Sequence, residues 1–151
     1  MSISALSVSQ IRALSTTAIQ SLSTTSIQSL TTTQVGAFTT TGIGALSSTQ
    51  FGNFSTTQVR ALATTQIPSI NSSVSFTSNQ LLVLTAQQLG VLATAQVATI
   101  ETTAIQGFSI TQIGGFSSTN LSSLDQTQAA ALTTTQIGAF SPPQVGGLNA
   151  T

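Results

Sequence analysis

Side chains able to move protons, hold metals or attack electrophiles are almost missing from this 151-residue chain. The charged residues are Arg12, Arg60, Glu101 and Asp125, and there is no His, Cys, Tyr, Trp or Lys. General acid–base catalysis needs positioned titratable groups, and the two carboxylates stand 24 residues apart. Ser and Thr are abundant, but a hydroxyl is a poor nucleophile without a neighbouring base, and neither a Ser-His nor a Cys-His pair exists. Metal sites need clusters of carboxylate, imidazole or thiolate, and none can be assembled. Gly114-Gly115 and Gly146-Gly147 lack the spacing of a phosphate loop. The expectation is a protein that is not an enzyme, with no catalytic residue, no metal or cofactor site and no small-molecule ligand.

Charge narrows the partners further. Two isolated arginines cannot displace counterions along a phosphate backbone, so nucleic acid is not an expected partner. With 40% hydrophobic residues the chain is too apolar for a disordered polar tract and is long enough to bury a core. A surface at zero net charge resists self-association poorly, which points to assembly with further copies of itself. No apolar run approaches the length of a membrane span, Leu81 to Leu84 being the longest run of large residues. The N-terminal MSISALSVSQIRAL has neither a basic region nor a continuous apolar one, so no signal peptide is visible. An extracellular location would then require another export route, trimming or a fragment, and absence of Cys permits an oxidising compartment.

The elements that carry these residues are set by an internal repeat. The unit is eight residues, close to Ser/Thr-x-x-Gln-Ile/Val-x-small-Leu/Phe, with positions labelled a to h. A first array of eight octads runs over 7–70 within a region 1–70. The interruption 71–76, NSSVSF, follows; nine further octads occupy 77–148, and 149–151 is a tail. Position d is Gln in twelve of seventeen octads although the chain has only seventeen Gln, so the pattern exceeds composition. Position a is Ser, Thr or Asp in fourteen octads, and e is a large apolar residue in every octad but the one holding Ala129. Position h is Leu, Ile or Phe throughout, so Phe38, Phe54, Phe108, Phe116 and Phe140 read as core.

An uninterrupted α-helix drifts about 80° per octad, which would wind the apolar stripe round its surface. An uninterrupted strand would put e and h on opposite faces, because both spacings between them are odd. The chain must therefore bend once per octad. Short capped helices explain the spacing: with a as N-cap, d falls at N3 and completes a capping box, while h before the cap and e at N4 form a hydrophobic staple. The unit 141–148, SPPQVGGL, agrees, since Pro142 and Pro143 fall at N1 and N2, where a missing N–H costs little. Glu101 and Asp125 both fall at a, where the helix dipole favours negative charge. Arg12 and Arg60 both fall at f, read as a solvated face or as lateral contacts to the acids of a neighbouring chain. Helices this short are unstable alone, so the expectation is an all-α solenoid with one helix per octad, stacked into one continuous body.

The alternative is an all-β solenoid with one corner per octad. Thr, Ile and Val are good strand formers, and ten of eleven glycines sit at f or g, where a strand corner accepts them. The helical reading must instead place those glycines at a bend or a close backbone contact. Pro68, at f, would remove a bond from its helix. The interruption after it reads as a register slip or a functional hinge.

The units at 30–38, LTTTQVGAF, and 132–140, LTTTQIGAF, resemble Thr/Gln-rich octapeptide arrays of large exported or surface-associated, adhesin-like bacterial proteins. That resemblance implies an extracellular or cell-surface structural module that forms filaments or arrays, or adheres. The start of the unit at 140–145 is also similar to the Leu-Thr-Pro-x-Gln-Val helix openings of transcription-activator-like effector repeats, but only in the local capping device. Two other functions stay open: binding of an ordered surface such as ice through threonine ranks at 31–33, 39–41 and 133–135, and service as a passive spacer in a larger protein.

Overall fold

A computed structural model describes residues 3–148, so the tail 149–151 lies outside the described residues. Among these, sixteen α-helices of four to seven residues alternate with short extended links, and no strand occurs. The all-α reading is the one the chain adopts. Sixteen of the seventeen octads carry an α-helix; the exception is 63–70, where Pro68 has no N–H to donate and Ile67–Ser69 forms a 3-10 turn instead.

One octad shows why the chain bends where it does. Thr31 has extended backbone (φ −75°, ψ 158°), and its side chain accepts from the Gln34 N–H at 3.2 Å. Gln34 Oε1 in return accepts from the Thr31 N–H at 2.9 Å, closing the capping box at the start of Thr32–Ala37. Val35, at e, donates its N–H to the Thr31 carbonyl, and Phe38, at h, donates to the Val35 carbonyl. The second of these bonds spans only three residues and tightens the helix end. Phe38 and Thr39 are then both extended (ψ 140° and 160°), so two residues reverse the chain before Thr40–Gly44 begins. The same e-to-a and h-to-e bonds recur along both arrays.

The chain divides into two compact units, Met1–Val74 and Ser75–Thr151, with the boundary inside the interruption. Within the first, each helix packs on the one three octads away: Val8–Arg12 on Thr32–Ala37, Thr16–Gln20 on Thr40–Gly44, Thr24–Ser29 on Ser48–Gly52. The second repeats the step, pairing Thr94–Val97 with Ser118–Ser122, and Ser118–Ser122 with Pro142–Leu148. Side chains at e and h fill the interior, from Ile11 and Ile19 to Leu121 and Leu124. Rings at these positions pack with centroids 5.6 Å apart, edge-on for Phe51 with Phe54 and tilted for Phe108 with Phe116.

Candidate functional site

The chemistry the structure uses most is carried by glutamine. A d-position Gln spends its Oε1 on the backbone N–H of its own N-cap; its Nε2 reaches back four octads to the coil below. Gln50 Nε2 donates to the Ile19, Gln20 and Leu22 carbonyls at 2.9, 3.2 and 2.8 Å. Gln58 reaches Ile27 and Leu30, and Gln66 reaches Val35 and Phe38. In the second unit Gln128 donates to Val97 and Ile100, Gln136 to Ile105 and Phe108, and Gln144 to Gly114 and Phe116. Asn120 repeats the device one methylene shorter, its Nδ2 donating to Leu92 at 2.8 Å.

These ladders give the winding that the octad pattern alone leaves open. Helices touch at three octads and amides reach back four, so each turn of a coil holds between three and four octads. They also explain the residue type. A capping box accepts Glu as readily as Gln, but a carboxylate has no hydrogen to offer a carbonyl. Only an amide supplies an acceptor at one end and donors at the other, and no d position is Glu. Among the described residues no buried side-chain nitrogen or oxygen lacks a partner.

The charged residues are dispersed. Asp125 caps Gln126–Ala130 directly, Oδ1 accepting from the Gln128 N–H at 2.7 Å. Glu101 sits at the N-cap of Thr102–Gly107 without capping it; its Oε2 accepts instead from Ser78 Oγ at 2.8 Å, 23 residues earlier. Arg12 and Arg60 are exposed in the last turns of their helices, where the dipole favours a cation.

No glycine among the described residues has positive φ, and those at f and g differ in what a side chain there would meet. A Cβ on Gly44 would lie 2.8 Å from the Ser69 carbonyl oxygen, and one on Gly90 2.5 Å from that of Gly115. Gly115 and Gly147 would clash with the backbone at Ala86 and Ser118. These are close contacts between neighbouring turns, as the helical reading requires. Gly52, Gly138 and Gly146 face open space.

What remains outside is hydroxyl. Position c is exposed in all seventeen octads and is Thr in twelve of them. The ranks 31–33, 39–41 and 133–135 are exposed at every residue. The a-position hydroxyls are engaged as caps, so b and c present the outer surface.

A family model described as the ALTTAQ repeat matches residues 3–40. Read in order, those six letters fall on positions g, h, a, b, c and d, most nearly at 131–136, ALTTTQ. The match spans about a quarter of the chain; the same octad pattern runs on to 70 and resumes, after the interruption 71–76, from 77 to 148. The chain is a repeat protein whose unit is a capped helix and whose joints are amide ladders. No curated protein and no solved structure gives a match. No helix among the described residues is long and apolar enough to cross a membrane.

Proposed function

We propose that this chain is a structural module and not an enzyme: a filament- or array-forming or adhesive part of a bacterial exterior, working against further copies of itself or a solid surface. The observation that carries the reading is the division of polar groups. Buried amides are committed to holding turn on turn, while the outer face displays uncharged hydroxyls in ranks and scatters its four charges singly. Such a surface offers no focused field for a charged ligand, and it meets little long-range repulsion from a second copy. Likeness to adhesin-like octapeptide arrays supports the exterior location. Electron microscopy of the purified chain should show elongated assemblies that persist as salt is raised. Single particles at the highest soluble concentration would refute it.

The threonine rank at c favours one second reading, an ordered-surface binder such as an ice binder. Thermal hysteresis of a freezing solution tests it; a solution freezing as buffer does would rule it out.

A further inference from the structure

The interruption opens with a turn where an octad would open with a capped helix. Asn71 follows Ile70 at h and so stands where a cap would stand, but its carbonyl accepts from the Val74 N–H at 2.9 Å, only three residues on, and no helix begins. Asn71 Oδ1 accepts twice from Ser73, from its backbone N–H and from its Oγ–H, both at 2.9 Å. Ser48 Oγ donates to the Ser73 carbonyl at 3.0 Å, tying the turn to the helix Ser48–Gly52. Asn71, Ser72 and Ser73 are all exposed, and Asn71 Nδ2 has no partner among the described residues.

Asn71-Ser72-Ser73 is an Asn-x-Ser sequence, the acceptor pattern of N-linked glycosylation. In a chain this rich in Ser and Thr the pattern alone decides little, since Asn53, Asn120 and Asn149 begin one too. Geometry separates them. Asn53 Nδ2 donates to the Thr49 carbonyl at 2.8 Å and its Oδ1 accepts from the Gln28 amide, while Ser55 Oγ is occupied in accepting from the Gln58 N–H. Asn120 is 2% exposed, its Nδ2 donates to Leu92, and Ser122 Oγ donates to the Thr119 carbonyl. Asn149 lies outside the described residues. We propose that Asn71 is a glycan acceptor, its Nδ2 taking a sugar from a donor that carries it on a diphosphate. A bond forms between Nδ2 and the anomeric carbon, and the bond from that carbon to the donor oxygen breaks, its electron pair leaving with the diphosphate. One Nδ2 hydrogen passes to a base of the transferase. A carboxamide nitrogen is a weak nucleophile because its lone pair is shared with the carbonyl. As the proton leaves, negative charge gathers on Oδ1, where the Ser73 N–H and Oγ–H already donate, and donors held at a developing charge favour the step. The hydroxyls of Ser55 and Ser122, engaged elsewhere, do not serve Asn53 and Asn120 in this way.

Peptide mapping by mass spectrometry of the chain recovered from the cells that make it should find a sugar on Asn71 and none on Asn53 or Asn120. A single hexose marks a nucleotide-bound donor and a preassembled oligosaccharide a lipid-bound one; either supports the site. A bare Asn71 would overturn it, as would equal occupancy of Asn53 or Asn120. Ser73→Ala then tests the hydroxyl. It leaves the Ser73 N–H and carbonyl bonds in place at an exposed position, so far-UV helicity should be retained. Occupancy of Asn71 should fall about tenfold or more, the weight of one hydrogen bond to a charged group, and Ser73→Thr should keep it. Occupancy unchanged by Ser73→Ala would also overturn the proposal, because Oδ1 would then need no hydroxyl. The outcome is separable from assembly: a bare Asn71 leaves the structural reading standing, and a chain that never assembles leaves the acceptor standing.

Discussion

Replacing Gln58 by Glu tests the ladder at one atom. The substitution keeps length, shape and the acceptor that caps Ser55, whose N–H lies 2.8 Å from Oε1. It removes the amide that donates to the Ile27 and Leu30 carbonyls at 2.9 and 2.7 Å. The site is 3% exposed, so an ionised carboxylate would face two carbonyl oxygens without water. The less costly route is to fold protonated. Holding a carboxyl of ordinary pKa near 4.3 neutral at pH 7 costs about 1.36 kcal/mol per unit, or roughly 3.7 kcal/mol. A neutral acid then offers one hydrogen where the amide offered two, a further loss of about 1 kcal/mol. The sum is about 4–5 kcal/mol at pH 7 and about 1 kcal/mol near pH 4. The sign follows from linkage: burial raises the folded-state pKa above the unfolded one. Stability is therefore retained below about pH 4.3 and lost as pH rises toward the folded value. For a chain of this size that is a midpoint roughly 8–20 °C below the parent at neutral pH, read by far-UV circular dichroism. Gln10→Glu is the control, measured at dilution where the chain is monomeric. Gln10 makes the same capping bond but is exposed, so this change should stay within about 0.5 kcal/mol at both pH values. If Gln58→Glu melted with Gln10→Glu at pH 7, the buried amide donors would contribute nothing and the ladder would be an accident of packing.

Gly115→Ala should lower the melting midpoint, because its new methyl meets the Ala86 backbone. Gly138→Ala, facing open space in a helix, should raise stability by about 0.5–1 kcal/mol. Asp125→Ala should cost about 1 kcal/mol by removing the cap to the Gln128 N–H, and Glu101→Ala should cost less because its side chain caps nothing; chemical denaturation separates them. Deleting residues 31–38 removes a whole unit, including Val35 and Phe38, whose burial contributes about 1.5–3 kcal/mol each in gross terms, yet keeps every later residue in phase. Deleting 31–34 alone destroys the phase and should lower the melting midpoint further, although half as much chain is lost.

The local structure was legible because its causes lie within one octad. A hydroxyl at a and an amide at d are three residues apart, and a capping box needs nothing else. Pro142 and Pro143 open the last described helix as their missing N–H groups require. Pro68 weakened its helix to a 3-10 turn for the same reason. Legibility ended where the partner lay in the next turn. The reach of 28 to 31 residues from Gln50 to Leu22 and Ile19 leaves no periodic trace, because every octad offers the same carbonyls at every multiple of eight. The glycines were ambiguous for a related reason: Gly138 and Gly115 look alike in sequence and differ only in what backbone passes beside them. Glu101 stood at the right position for a cap, but Ser78 from the neighbouring turn took its carboxylate.

The ladder also has an arrow. Every resolved step described above points from a later residue to an earlier one, Gln50 to Leu22 and Gln144 to Phe116 alike, and never ahead along the chain. A new octad can therefore complete its bonds to the turn below using only peptide already synthesised. At translation rates of about 5–20 residues per second, an octad leaves the ribosome every 0.4–1.6 s or so, far longer than a helical turn needs to form. Each finished turn is a template for the next, so the coil can lengthen behind the ribosome like a knitted edge, row upon row, without waiting for the chain to end.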